Sequence, residues 1–272
     1  MRRLGPLYPA MVALGCLTRV PLPRGLAPAP EDLTRSAPWF PIVGAALGVL
    51  LAGVAAVFTA VGLVPAIAGV LALMAGLVIT GGMLEVGLAE TAEVAASSAR
   101  HAPEERERRL AGVLAVSGLL TLRALGLLGT DTDAWLAGLA AAAMIARWCP
   151  LMLALVGSRL GLAVTAPGMI NDRVRATLVP AAATPVGTAV ASVVTVVVAT
   201  WLGRGAGLLA VVVGLAVYAG MVALEVRWSR RSASGPSRQG LAAAAALSEL
   251  AVLLVFAAAH PALRSPWVVG GP

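Results

Sequence analysis

Charge is what this 272-residue chain has least of: 12% of its residues are Asp, Glu, Lys or Arg, against about a quarter in ordinary soluble domains. Aromatic residues make up 4%, and there are two cysteines, Cys16 and Cys149. Two cysteines give neither a disulfide framework nor a cysteine metal cluster. So few charges cannot cover the core of a water-soluble protein of this size. The composition therefore excludes a soluble enzyme, a disordered chain and a collagen-like fibre.

In their place are apolar residues, 59% of the chain, with a mean hydropathy of +0.91. They are mostly Ala, Val, Leu and Gly, in runs of about 20, the length that crosses a bilayer as a helix. A transmembrane β-barrel would show segments of about ten residues with alternating polarity. A helix satisfies its own backbone hydrogen bonds in hydrocarbon. The fold class is thus all-α, a polytopic integral membrane helical bundle of about seven spans. These are expected at about 40–63, 66–84, 111–129, 134–156, 183–202, 207–226 and 241–259. Residues 1–38 read as a cytoplasmic or interfacial N-terminal segment and 39–272 as a single membrane helical domain. Met1-Arg2-Arg3 followed by an apolar stretch to Leu17 is shaped like a signal sequence, but Pro6 and Pro9 break it, so an uncleaved amphipathic or re-entrant segment is expected.

The net charge is +7, carried by arginines between the apolar runs. They fall before the first span (Arg19, Arg24, Arg35), after the second (Arg100, Arg106, Arg108, Arg109), after the fourth (Arg159, Arg173, Arg175) and after the sixth (Arg227, Arg230, Arg231, Arg238). The alternate loops are short and nearly free of cations. This is the positive-inside pattern, with the long basic loops in the cytoplasm, and not a nucleic-acid-binding face. Glu104–Arg109 reads as a solvated helix laced by i,i+4 pairs, and Gly44-x₃-Gly48 as a helix-packing stripe. Arg227-Trp228-Ser229-Arg230-Arg231 suits anionic headgroups. His101 and His260 have no metal-ligand spacing. Arg123 and Arg147 fall inside spans, where a charge costs about 2.5–3.5 kcal/mol on insertion scales. Arg123 reads as a snorkelling side chain; Arg147 reads as snorkelling or as the partner of an acid on a neighbouring helix.

The most informative stretch runs from Thr80 to Glu93, where Glu85, Glu90 and Glu93 follow directly on an apolar helix. Glu90 and Glu93 share a helix face, and Glu85 stands about 140° round from Glu90. Three such carboxylates either solvate a helix end or surround a hard divalent cation that also binds substrate phosphates.

Gly87-Leu88-Ala89-Glu90-Thr91-Ala92-Glu93 resembles the G-L-A-D-T-x-D core of the cobalamin synthase (adenosylcobinamide-GDP ribazoletransferase) family. Leu17-Thr18-Arg19-Val20-Pro21-Leu22-Pro23 resembles that family's T-R-x-P-x-P, and Phe40-Pro41-Ile42-Val43-Gly44 its F-P-x-x-G. Thr80-Gly81-Gly82, Ser98-Ala99-Arg100 and Ala146-Arg147 agree in order and spacing. Several positions depart from the family pattern. Leu84 stands at its His, Val86 at its first Asp, Glu90 and Glu93 at the next two, and Val94 at the closing Gly. Gln239 replaces a later Asp, and Glu249 reaches the family's late Glu only across a short gap.

The resemblance implies a transferase that joins adenosylcobinamide-GDP to α-ribazole, or its 5′-phosphate, and releases GMP at the cytoplasmic face of the inner membrane. It implies Glu90, Glu93 and Arg147 as catalytic residues and Arg19, Gly87 and Arg100 as substrate contacts. It also implies Mg²⁺ held by Glu85, Glu90 and Glu93, with Glu85 standing in for the missing Asp. The expected partners are the two substrates, the bilayer, other cobalamin-assembly enzymes and a second copy of the chain, and no nucleic acid. Two other readings fit the same residues: an impaired paralogue that binds corrinoid or a partner enzyme, and a small anion transporter.

Overall fold

The computed structural model describes residues 7–21, 32, 35–97, 104–159, 185–229 and 237–260, without the side chains of 154–159, 185, 228, 229 and 238. Among these residues there are nine α-helices and no strand: α1 (Tyr8–Leu17), α2 (Phe40–Ala60), α3 (Pro65–Thr80), α4 (Met83–Ser97), α5 (Glu105–Leu128), α6 (Trp135–Arg159), α7 (Pro185–Gly203), α8 (Gly205–Ser229) and α9 (Arg238–Ala259). Six are long and apolar enough to cross a membrane alone; α3 and α4 meet the same length and hydropathy test only together, as a bent pair that is a broken span or a re-entrant loop. The polytopic helical bundle expected from the sequence is the observed fold.

Two helices form its centre. The apolar window of α6 is 78% buried and that of α9 is 61%, while the other four unbroken spans are buried over about a third of theirs. The buried stretches Ala140–Ala143 on α6 and Ala242–Ala246 on α9 explain this arrangement. With no hydrophobic drive between helices in lipid, close backbone approach through small residues supplies the packing. The Gly44-x₃-Gly48 stripe of α2 lies on α6 as the sequence suggests. A Cβ on Gly44 would meet the Ala143 carbonyl oxygen at 2.5 Å, and one on Gly48 would collide with the backbone of Leu139 and Ala140. At the far end of the bundle the Asp131 amide donates to the His260 carbonyl at 2.9 Å, joining the α5–α6 loop to the end of α9.

The N-terminal helix α1 is part of this packing. Its Val12, Ala13, Cys16 and Leu17 are buried with Phe40 and Val43 of α2, Leu151 of α6 and Ala191 of α7. Just after it, the Arg19 amide donates to the Ile79 carbonyl at 2.8 Å, pinning the segment to the end of α3.

The second span differs from the continuous helix expected. It stops at Thr80, bends by 85° and restarts at Met83. Two consecutive glycines, Gly81 (φ 74°) and Gly82 (φ 65°), take left-handed backbone, which costs other residues about 1–2 kcal/mol each. The Thr80 hydroxyl turns back to the Gly76 carbonyl at 2.8 Å. The acidic motif therefore stands on its own helix, the second arm of a broken span.

Candidate functional site

Helix α4 packs between α5 and α9, and this sorts its three glutamates by depth. Glu85, on the first turn, is buried at 7% exposure. Its Oε1 accepts from Arg123 Nη1 of α5 at 2.5 Å. Arg123 is 5% exposed, so it does not snorkel: it is neutralised inside the bundle, because Glu85 lies within reach on the adjacent helix. Arg123 Nη2 also approaches the Ala246 carbonyl at 3.4 Å and Glu249 Oε2 of α9 at 3.5 Å. Glu249 Oε2 stands equally 3.5 Å from Arg147 Nη1 of α6, which donates to the Ala143 carbonyl at 2.9 Å. Four helices are thus joined by one chain of alternating charge, Glu85–Arg123–Glu249–Arg147, with no net charge. The chain of charge lies inside the bundle, where ionisable groups within membrane-spanning helices pair with one another.

Two cavities meet at Arg147. One is floored by Glu85, Arg123, Arg147 and Glu249 and walled by leucines of α2, α3 and α5, with Thr80 at its edge. The other opens at the helix break, between Leu17, Thr80, Met83, Ala146 and Pro150. Arg147, Thr80 and Leu84 line both. Arg19 borders the break from the other side. Its side chain lies so close over Gly81 that a Cβ there would strike Arg19 Nε.

The remaining expected site residues lie elsewhere. Glu90 is exposed and Glu93 half-buried, nearer the end of α4 that leads into the basic loop. Glu93 leans on α5, where a Cβ on Gly112 would meet its Oε1 at 2.9 Å. Gly87 is a packing glycine: a Cβ there would collide with Ala242 of α9. Arg100 and His101 lie outside the described residues. Among the described residues no three His, Cys, Asp or Glu side chains group to hold a metal ion. Glu85 faces Arg123 and does not join Glu90 and Glu93 around one point. Of the three glutamates expected around a metal ion, Glu85 is paired with Arg123, and Glu90 and Glu93 remain outside the buried charge chain.

The expected i,i+4 pair on the first turns of α5 is present, between exposed Arg109 and Glu105, and contributes little at that exposure. At the start of α9, Glu225 of α8 accepts from the Ser237 amide at 2.6 Å and from its hydroxyl. Ser237 in turn caps α9 through the Gly240 amide at 3.0 Å.

Sequence reasoning missed Arg123 and Glu249 as site residues. The signal was present: Arg123, Arg147 and Glu249 fall well inside spans, with Glu85 at the edge of another, and charges in a bilayer pair with one another.

The comparisons with known proteins agree with this architecture. The family model for cobalamin-5-phosphate synthase matches residues 9–257. Among curated proteins, the adenosylcobinamide-GDP ribazoletransferase of Shewanella piezotolerans is 37% identical over 83 residues, covering 30% of this chain and 32% of that protein. The proteins of the same name from Brucella ovis and Brucella canis are each 41% identical over 95 residues, covering 34% of this chain and 36% of theirs. The matched stretch thus spans about a third of these relatives' length. No solved structure matches the chain. With the family model covering nearly every described element from α1 to α9, the chain belongs to the cobalamin-5-phosphate synthase family.

Proposed function

We propose that this multi-pass membrane protein is an adenosylcobinamide-GDP ribazoletransferase, acting at the cytoplasmic face of the inner membrane. A ribazole hydroxyl or phosphate oxygen attacks the phosphorus next to the cobinamide arm, and GMP leaves. Such a transfer is catalysed mostly by positioning and charge neutralisation. The observation that carries the reading is the placement of Arg147, the arginine of the family-like Ala146-Arg147 pair. It is buried, yet it opens onto the pocket at the helix break, and the Arg19 side chain lies over Gly81 of that break.

In this reading Arg147 and Arg19 neutralise pyrophosphate oxygens, with Arg100 as a further contact from the basic loop. Glu90 and Glu93 hold Mg²⁺, which when bound supplies further neutralisation of the phosphates. Gly87 contributes by letting α4 close on α9. Glu85 belongs to the buried charge chain and not to the metal set. By the positive-inside pattern of the sequence the arginine-rich loops face the cytoplasm, which suits a soluble nucleotide-bearing substrate arriving from that side.

The test is complementation of a strain lacking its own cobalamin synthase, paired with turnover by purified protein in lipid with Mg²⁺. Formation of cobalamin or its phosphate, abolished by Glu90→Ala, is the expected result. Corrinoid binding without product in long incubations sinks the proposal.

A further inference from the structure

We infer that Glu249 is a resident carboxylate that neutralises Arg147 until a phosphate oxygen reaches that guanidinium, whereupon Glu249 passes to Arg123. This rests on Arg147 being a phosphate contact and adds how that contact is kept ready in a dry interior.

The geometry around Glu249 is that of a shared ion held firmly by neither partner. Its Oε2 lies 3.5 Å from both Arg147 Nη1 and Arg123 Nη2, well beyond the 2.7–2.9 Å of a tight charge-assisted hydrogen bond. Arg123 has room to accept it fully. A guanidinium carries five N–H donors; here Glu85 takes one closely and the Ala246 carbonyl another at 3.4 Å. The Nε of Arg123 is buried with no partner at all. The cavity under the charges adjoins Glu249 as well as both arginines, so the carboxylate has space for a short shift. Arg147 opens at the same time onto the second pocket, from which an oxyanion can approach.

The physics favours an exchange over simple addition. A phosphate oxygen placed beside Arg147 is repelled by a carboxylate at the same guanidinium. Leaving Arg147 with no anion at all would strand a buried charge, which is costly. Handing Glu249 to Arg123 as phosphate arrives keeps every buried charge partnered throughout. No proton moves and no covalent bond changes.

The experiment is calorimetric titration of inorganic pyrophosphate into the full-length protein in phosphatidylcholine nanodiscs. Arg147→Gln is expected to lose binding. Glu249→Gln, which removes the competitor, is expected to bind about tenfold more tightly, the scale of one nearby like charge in a partly screened site. The double variant Glu85→Gln with Arg123→Gln removes Glu249's alternative partner without stranding a charge, and is expected to bind about tenfold more weakly. If Glu249→Gln binds no better than the native chain while Arg147→Gln still loses binding, the inference is overturned and the phosphate contact stands. If Glu249→Gln does not fold, the double variant decides: unchanged or tighter binding overturns the inference. If Arg147→Gln binds like the native chain, the phosphate reading of Arg147 falls and this inference with it.

Discussion

Arg123 and Glu85 lie on different helices, α5 and α4, and meet at 2.5 Å with both side chains under a tenth exposed. The pair ties the second arm of the broken span to the body of the bundle. Arg123→Gln leaves Glu85 buried and unpaired, and is expected to lower stability by about 3–5 kcal/mol. Pairing it with Glu85→Gln should restore most of that loss. Denaturant titration in mixed micelles, followed by circular dichroism, reads both. A single variant as stable as the native chain would show that water already screens the pair.

Gly48 faces the backbone of α6, and a side chain there has nowhere to go because backbone cannot yield as a side chain does. Gly48→Ala is expected to cost about 1–3 kcal/mol, the usual range for overpacking. Gly53→Ala, on an open stretch of the same helix with nothing within 4 Å, serves as the control and should leave the midpoint in place. The same titration compares them.

The helix break depends on left-handed backbone at Gly81 and Gly82. Alanine at either position is expected to cost about 1–2 kcal/mol. Gly81→Ala should also weaken pyrophosphate binding, because its methyl displaces Arg19, while Gly82 has nothing within 4 Å. Equal binding by the two variants would remove Arg19 from the proposed phosphate contacts.

The proposed function assigns Mg²⁺ to Glu90 and Glu93. Glu93→Gln is expected to raise the Mg²⁺ concentration needed for half-maximal turnover. Glu90→Asp keeps the charge but withdraws it by a methylene, and should slow turnover by about 10²-fold, the scale of a misplacement near 1 Å. Mg²⁺ titrations of turnover by purified protein check both. An unshifted requirement in Glu93→Gln would take that residue out of the donor set.

The six unbroken spans could be read from the sequence, because 20-residue apolar runs in lipid have few alternatives to helix. The packing of α2 on α6 was legible too, since Gly44 and Gly48 one turn apart have a specific use between membrane helices. The break at Gly81–Gly82 was not. Glycine is common in membrane helices, and a pair of them bends the chain only where neighbours such as Arg19 and Thr80 fill the turn. The site was legible in part. The motif drew attention to Glu85, Glu90, Glu93 and Arg147, but periodicity cannot say which of three glutamates on one helix meets a cation 38 residues away. The partnership of Glu249 with two arginines was hidden for the same reason: it is a property of four helices meeting, not of any one of them.

The broken span also bears on how the chain enters the bilayer. Its arms are 16 and 15 residues long, about 24 and 22 Å of helix, each short of the roughly 30 Å hydrocarbon thickness. Neither arm can halt translocation alone, and the second begins with a glutamate on its first turn. It becomes a comfortable resident of the membrane only once the following helix delivers Arg123. Arg123 follows Glu85 by 38 residues, so the buried partner of the acidic turn is supplied by the next helix in the chain and not by the broken span itself.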